Sequence, residues 1–237
     1  MYKHVALLVR KEGMSHEEFV EHWQDTHTPI AKDIEGVVRY QQVLPTEPEH
    51  AEFDGIAELY FETLEDLYAA LGSPGSRDYD PTKEVAAKAR ADVDNFLAIE
   101  KRPRFIGEEK VWKDEADSTD GLYKHSAFLV RQEGMSHEAF REYWENNHSP
   151  LAKDIEGVVR YHTVYPADPE NAEFDGVAEL YFETLEDLHE ALGSEGSRDY
   201  DPTKEVAAKA REDVDNFLAV EKRPRLIGKE QVVKSEE

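Results

Sequence analysis

Residues Trp23–Tyr40 read WQDTHTPIAKDIEGVVRY, and residues Trp144–Tyr161 read WENNHSPLAKDIEGVVRY. A phrase of this length written twice fixes the organisation of the chain. The offset of 121 residues that carries Trp23 to Trp144 also carries His4 to His125, Tyr40 to Tyr161 and Phe96 to Phe217. About three quarters of the positions in 4–107 match their partner at this offset. The chain is therefore a tandem duplication of one domain-sized unit, not a short-period solenoid. The expected boundaries are 1–112 for the first repeat, 113–121 for a linker (KDEADSTDG) and 122–237 for the second repeat. The linker is charged and closes on Ser, Thr, Asp and Gly, which favour irregular chain.

Within the first repeat, KHVALLVRK (3–11) has the continuous apolar content of a strand buried on both faces. Ser15 is placed to cap a helix, with Glu18 three residues on as its capping-box partner. Phe19, Trp23 and His27 follow at helical spacing on one face, and Pro29 is expected to end or kink that helix. VVRYQQVLP and IAELYFE read as strands, and Thr63 caps a helix over 64–71 that Gly72, Pro74 and Gly75 break. A second helical stretch starts near Pro81, and RPRFIGEEKVW closes the unit as a strand. The order βαββαβ builds a ferredoxin-like unit of the α+β class, a sheet with helices on one face. Its bare face needs a cover. The two repeats are expected to pack sheet to sheet as a fused dimeric α/β barrel, an intramolecular pseudo-dimer, with further homo-oligomerisation left open.

Composition bounds the function. The 237 residues carry 53 Asp and Glu against 28 Lys and Arg, a net charge of −25, with 39% hydrophobic content and no cysteine. Disulfides, thiolate metal sites and cysteine nucleophiles are excluded. Direct nucleic-acid binding is disfavoured, because phosphate contacts need clustered basic residues. The acidic residues are scattered over every segment rather than gathered in a tail, which points to an acidic surface adapted to high salt. No apolar run approaches a membrane span of ~20 residues. A cytoplasmic location and no membrane partner are the expectations.

Two readings of His27 and His148 stay open on spacing alone. Each either titrates near neutral pH as an acid or base beside a pocket, or is a hydrogen-bonded core histidine that fixes the turn at the following proline. Tyr40 and Tyr161 either orient a substrate oxygen or pack with satisfied hydroxyls. Arg39 and Arg160 are unusual in an apolar strand. They either hold a substrate carboxylate or pair with Glu58 and Glu179 on the neighbouring strand, the pairing being the expected choice. Trp23 and Trp144 are core or pocket wall. His22 and His27 are five apart, not the i, i+4 of a helical metal pair, and no P-loop, Rossmann or EF-hand pattern occurs. No metal site is expected.

The first strand ending LLVR, then GMSHEEFVEHW, H-x-P, GVVRY, DGIAELYFETLEDL and FIGEEKV, resembles the EthD family of the dimeric α/β-barrel superfamily over nearly all of each repeat. That resemblance implies the barrel fold, a small organic ligand such as a lactone or a polyketide-like compound, and no cofactor. It implies His27 and His148 as the motif histidines and Tyr40 and Tyr161 as the tyrosines closing the strand motif, and it points to cofactor-independent isomerase, dehydratase or catabolic accessory chemistry. A loop histidine of lactone-isomerase relatives matches His50, where the second repeat has Asn171. The alternatives are a non-catalytic binding or structural barrel and a haem-binding or oxidoreductase-type barrel.

Self-repulsion of this charge falls as the Debye length shrinks to about 3 Å in molar salt. The urea midpoint of unfolding is expected to rise from low salt to multimolar KCl, and a midpoint indifferent to salt removes the salt-adapted reading.

Overall fold

In the computed structural model, residues 1–73, 80, 82–118, 120–195, 201 and 203–236 are described. The expected helix breakers Pro74 and Gly75 and the expected helix start Pro81 lie outside them. The first repeat supplies β1 (Tyr2–Leu8), β2 (Val37–Pro45), β3 (Gly55–Phe61) and β4 (Arg104–Asp114). The second supplies β5 (Tyr123–Leu129), β6 (Val158–Pro166), β7 (Gly176–Phe182) and β8 (Arg225–Ser235). All pairings are antiparallel, and the strands close into one barrel in the order β1-β3-β2-β8-β5-β7-β6-β4. The fused α/β barrel expected from the strand order is thus the fold.

The sheets do more than face each other. Strand β2 pairs with β8 from Arg39↔Ser235 to Pro45↔Gly228, and β4 pairs with β6 from Gly107↔Pro166 to Asp114↔Arg160. Each repeat's open edges are sealed by the other's, so no edge is left to template aggregation. The seam hydrogen bonds carry β4 through Lys113 and Asp114.

Helices cover the outer face. Ser15 caps α1 (His16–Glu21) through Glu18 N–H, and the Glu18 side chain returns to the Ser15 N–H. Ser136 caps α5 (His137–Tyr143) without the reciprocal contact, since Ala139 stands at the box position. Thr63 caps α3 (Leu64–Leu71) and Thr184 caps α7 (Leu185–Leu192). Helices α4 (Glu84–Phe96) and α8 (Glu205–Val214) lay Ala86, Ala89 and Val93, and Ala207 and Ala210, against the sheets. Among the described residues, no helix is long and apolar enough to cross a membrane.

The barrel interior is apolar at Val5, Leu7, Phe105, Phe128, Val164 and Leu226, but charged beside them. Lys3 Nζ lies 2.6 Å from Glu179 and 3.2 Å from Glu58; Lys124 Nζ lies 2.6 Å from Glu58 and 3.1 Å from Glu179. All four side chains are fully buried. Burial opposes the charge on Lys3, yet the carboxylates of Glu179 and Glu58 outweigh it and hold the ammonium above its ordinary range. Burial and the Glu179 carboxylate push Glu58 up to about 7, while the two ammoniums overcome burial and hold Glu179 low.

Replacing one member of such a ring strands the rest without water. Lys3→Met is expected to cost about 3–5 kcal/mol of unfolding free energy. Lys3→Met with Glu179→Gln is expected to recover a substantial part of that loss in denaturant unfolding at high salt.

Candidate functional site

The helix that carries His27 is not a simple α-helix. After α1 the chain widens into a π-turn over His22–His27, then resumes as α2 (Thr28–Ala31). The cause is Pro29. In α geometry its ring would collide with the carbonyl four residues back, and it has no N–H to give. Here the Thr28 N–H reaches Trp23 O instead, and the Thr28 hydroxyl donates to the same oxygen at 2.7 Å. Pro29 therefore neither ends the helix nor breaks it; one extra residue per turn accommodates the ring. The second repeat does the same, with a π-turn over Trp144–His148 followed by α6 (Ser149–Ala152). Such π-turns recur at functional sites because they re-aim side chains.

The re-aiming is visible at once. Residues five apart share a face in a π-turn, so His22 and His27 both reach Asp92 on α4, with His22 Nε2 at 3.1 Å and His27 Nδ1 at 3.0 Å. In the second repeat, His148 Nδ1 lies 2.9 Å from Asp213 on α8, and the Tyr143 hydroxyl takes the place of His22 at 2.7 Å. Because a carboxylate accepts, His27 and His148 carry their proton on Nδ1, and Nε2 presents a lone pair. Burial is the largest influence on both rings and lowers their pKa; the Asp92 and Asp213 carboxylates act against it. The imidazoles are thus neutral at pH 7. Asp92 and Asp213 are desolvated, but hydrogen bonds from Asn95, His27 and His22, and from Tyr143, Asn216 and His148, keep them below the ordinary range.

His27 and His148 each line a cavity between helices and sheet, while Asp92 and Asp213 are not among the lining residues. The first, about 300 Å³, is walled by Ala6, Leu8, Trp23, Ala31, Leu59, Val93 and Phe96, with His4, His27 and the guanidiniums of Arg90, Arg102 and Arg104 among its polar groups. The second, about 340 Å³, repeats this with His125, His148, Arg211, Arg223 and Arg225. Volumes of this order suit a small ligand in a mostly apolar pocket.

The other residues singled out from sequence divide. Trp23 and Trp144 are fully buried and line the cavities. Gly55 lies so close to the Trp23 ring that a Cβ there would stand 2.6 Å from it, which explains a glycine at the head of β3. The Tyr40 hydroxyl accepts from Trp23 Nε1 at 2.9 Å and from Gln42 at 3.1 Å. The Tyr161 hydroxyl accepts from Trp144 Nε1 at 3.1 Å. Burial raises Tyr40 and pushes Tyr161 up to about 12, so both phenols stay protonated and hold the indoles in place. Tyr40 lines its cavity and Tyr161 is not among the lining residues of the other.

Arg39 and Arg160 line neither cavity. They also do not make the expected pairs with Glu58 and Glu179, which are taken by the lysines. A register shift between Val37 and Arg39 sets Arg39 opposite Tyr60, leaving Gln41 opposite Glu58. The Arg39 guanidinium sits 4.7 Å from the Tyr60 ring centre, and Arg160 bonds Asp114 at 2.8 Å. His50 is exposed beside Glu47 at 3.1 Å in the β2–β3 loop and does not line the cavity. Inside the barrel, Glu109, His162 and Glu179 bring ligand-type atoms within 4.8 Å of one another, but the Lys3 ammonium already serves those carboxylates at 2.6 and 3.8 Å. Sequence reasoning missed Asp92 and Asp213, read as surface acid. It also missed His4 and His125, whose signal was a histidine repeated inside an apolar strand.

The family pattern described as EthD domain matches residues 11–100 and again 132–221. The chain belongs to the EthD family. No curated protein matches this EthD chain. Among solved structures, an anthrone oxidase-like protein aligns over 98% of this chain and 93% of its own at 11% identity, TM-score 0.58. A mutant chlorite dismutase from Candidatus Nitrospira defluvii aligns over 98% and 92% at 11% identity, TM-score 0.56. An ethyl tert-butyl ether d (ethd) family protein from Bacillus halodurans C-125 covers 49% of this chain and 98% of its own at 20% identity, TM-score 0.33. The first two share the barrel with the EthD chain.

The Asp92 carboxylate raises the His27 pKa against burial. Asp92→Asn is therefore expected to lower that pKa further from the imidazole value of about 6.5, read by NMR titration of the ring. A rise would contradict the dyad.

Proposed function

We propose that the protein binds a small, partly apolar organic molecule in each helix–sheet cavity, and that His27 and His148 act there as general bases in cofactor-independent proton transfer. The observation that carries this reading is the pairing of a neutral imidazole, its Nδ1–H held by a carboxylate, with a cavity lined by apolar side chains and arginines. Such a base abstracts a proton from carbon made acidic by a conjugated carbonyl, the step shared by isomerisation and dehydration. Asp92 and Asp213 orient the ring and stabilise the imidazolium that forms. The acid-rich composition supports a chain working in a salt-rich cytoplasm. The anthrone oxidase-like neighbour suggests planar, carbonyl-bearing aromatics as a first class to screen.

A second reading has the open Nε2 of His27 or His148 as an axial ligand of haem, since ligating histidines commonly give Nδ1–H to a carboxylate. It requires a Soret band on haem addition, where the acid–base reading requires none.

The experiment is deuterium incorporation into the C10 methylene of anthrone, in D₂O at high salt. The wild-type protein is expected to accelerate exchange. His27→Gln with His148→Gln is expected to slow it by about 10²-fold or more. Equal exchange in the double variant removes the catalytic role, and anthrone binding without exchange favours a pure binding module. The base form is lost as pH falls through the lowered histidine pKa, so the acid limb of the rate is expected below the ordinary imidazole range.

A further inference from the structure

Acidic residues outnumber basic ones 53 to 28 in this chain, yet the cavities reverse the balance. Among the described residues, Arg90, Arg102 and Arg104 line the first cavity with one carboxylate, Asp94. Arg211, Arg223 and Arg225 line the second with Asp215. Six of the thirteen arginines in the sequence are thus gathered at two cavities, whereas none of the fifteen lysines is among the described residues that line them. The two cations are not equivalent. An ammonium is a point charge on a flexible stem, and a guanidinium is a planar fork that matches a carboxylate with two parallel N–H bonds.

The fold holds these forks at the cavity wall. Arg104 heads β4, opposite Ala6 of β1. It donates from Nε to His4 Nε2 at 3.0 Å and from Nη2 to Leu71 O at 2.9 Å. In the second repeat, Arg211 on α8 donates to Ala191 O at 2.7 Å and Arg225 to Ser194 O at 2.6 Å. Those acceptors are neutral, so they position the forks without cancelling their charge. The charge reaches the imidazoles. Burial is the largest cause of the lowered pKa of His4, His27, His125 and His148, and guanidinium charge adds to it, from Arg102 at the first two rings and from Arg223 at the other two.

We propose that the ligand of each cavity is an organic acid, a partly apolar anion whose carboxylate is held by the cavity arginines while its body packs against Trp23 and Phe96, or Trp144 and Phe217. This rests on the cavity being a ligand site, as in the function proposed above. A chain with a net charge of −25 repels anions over most of its surface, so an anionic ligand needs a local cluster of cations. Apolar walls beside that cluster strengthen the attraction relative to open water. The arginines then fix the acid end of the ligand, and the neutral ring of His27 or His148 meets its reacting carbon.

The test uses the full chain at high salt and pH 7, with two fluorescent probes of similar shape and different charge, 9-anthracenecarboxylate and 9-anthracenemethanol. The wild type is expected to bind the acid about tenfold tighter than the alcohol, the worth of one hydrogen bond between charged groups. Arg102→Gln with Arg223→Gln is expected to bring the ratio toward one. NMR titration of His27 in the wild type gives a second readout that needs no variant. A bound carboxylate offsets the charge of Arg102, so the ring is expected to titrate at higher pH in the acid complex than in the alcohol complex. Equal affinities in the wild type overturn the anion reading and leave the arginines to bonds within the protein, while the cavity reading survives. A ratio unchanged in the glutamine variant, or a His27 ring that titrates no higher with the acid, also overturns it. Binding of neither probe by the wild type overturns the cavity reading and the anion reading together. Should the glutamine variant fail to fold, the wild-type ratio and the His27 titration decide.

Discussion

Four buried ionisable side chains at the barrel axis govern the structure. Lys3 and Lys124 each contact both Glu58 and Glu179, so every ammonium touches one carboxylate of its own repeat and one of the other. Charges removed from water are tolerated only when paired this closely. The ring has a consequence for register. A one-residue slip of β1 would turn Lys3 toward the helices and His4 into the barrel, and the ring would be lost. The ring and the edge pairings β2–β8 and β4–β6 therefore favour the same single assembly.

The same alternation that sends Lys3 inward sends His4 outward. The charged seam and the candidate site are two faces of one strand, each constraining the other. The cavities themselves do not cross the seam. Among the described residues, the first is lined by residues between His4 and Arg104 and the second by residues between His125 and Arg225. Each repeat thus carries a complete set of site residues, and fusion supplies the cover for the sheet rather than missing chemistry. The repeats differ chiefly around the dyad, where His22 supports Asp92 and Tyr143 supports Asp213. Both supports hold the carboxylate toward the motif histidine.

Much of the fold was legible because its causes are local. Capping at Ser15, Thr63, Ser136 and Thr184 joins residues three apart, and strand character follows from short runs of apolar side chains. The π-turn was not legible, although its cause, Pro29, was in view. Proline forbids the α register there but does not say whether the helix stops or widens. Widening wins because Trp23, held by Tyr40 and backed by Gly55, and the Thr28 hydroxyl together fix the turn. The Arg39–Glu58 expectation failed because Arg39 stands opposite Tyr60, and the lysines of two other strands already hold the Glu58 carboxylate.

By itself the sequence determined the duplication, the strand order of each repeat, the helix caps, the acidic surface charge and the two motif histidines, all of which depend on composition, periodicity or neighbours a few residues apart. Only the tertiary structure decided that Asp92 and Asp213 complete the histidines, that His4 and His125 share their cavities, and that the lysines of one repeat neutralise the glutamates of the other. The hydrogen-bonded partners among these lie 65 to 176 positions apart along the chain. Their meeting is set by how helices and sheets pack and by which carboxylate an ammonium reaches once water is gone, and no local pattern encodes that.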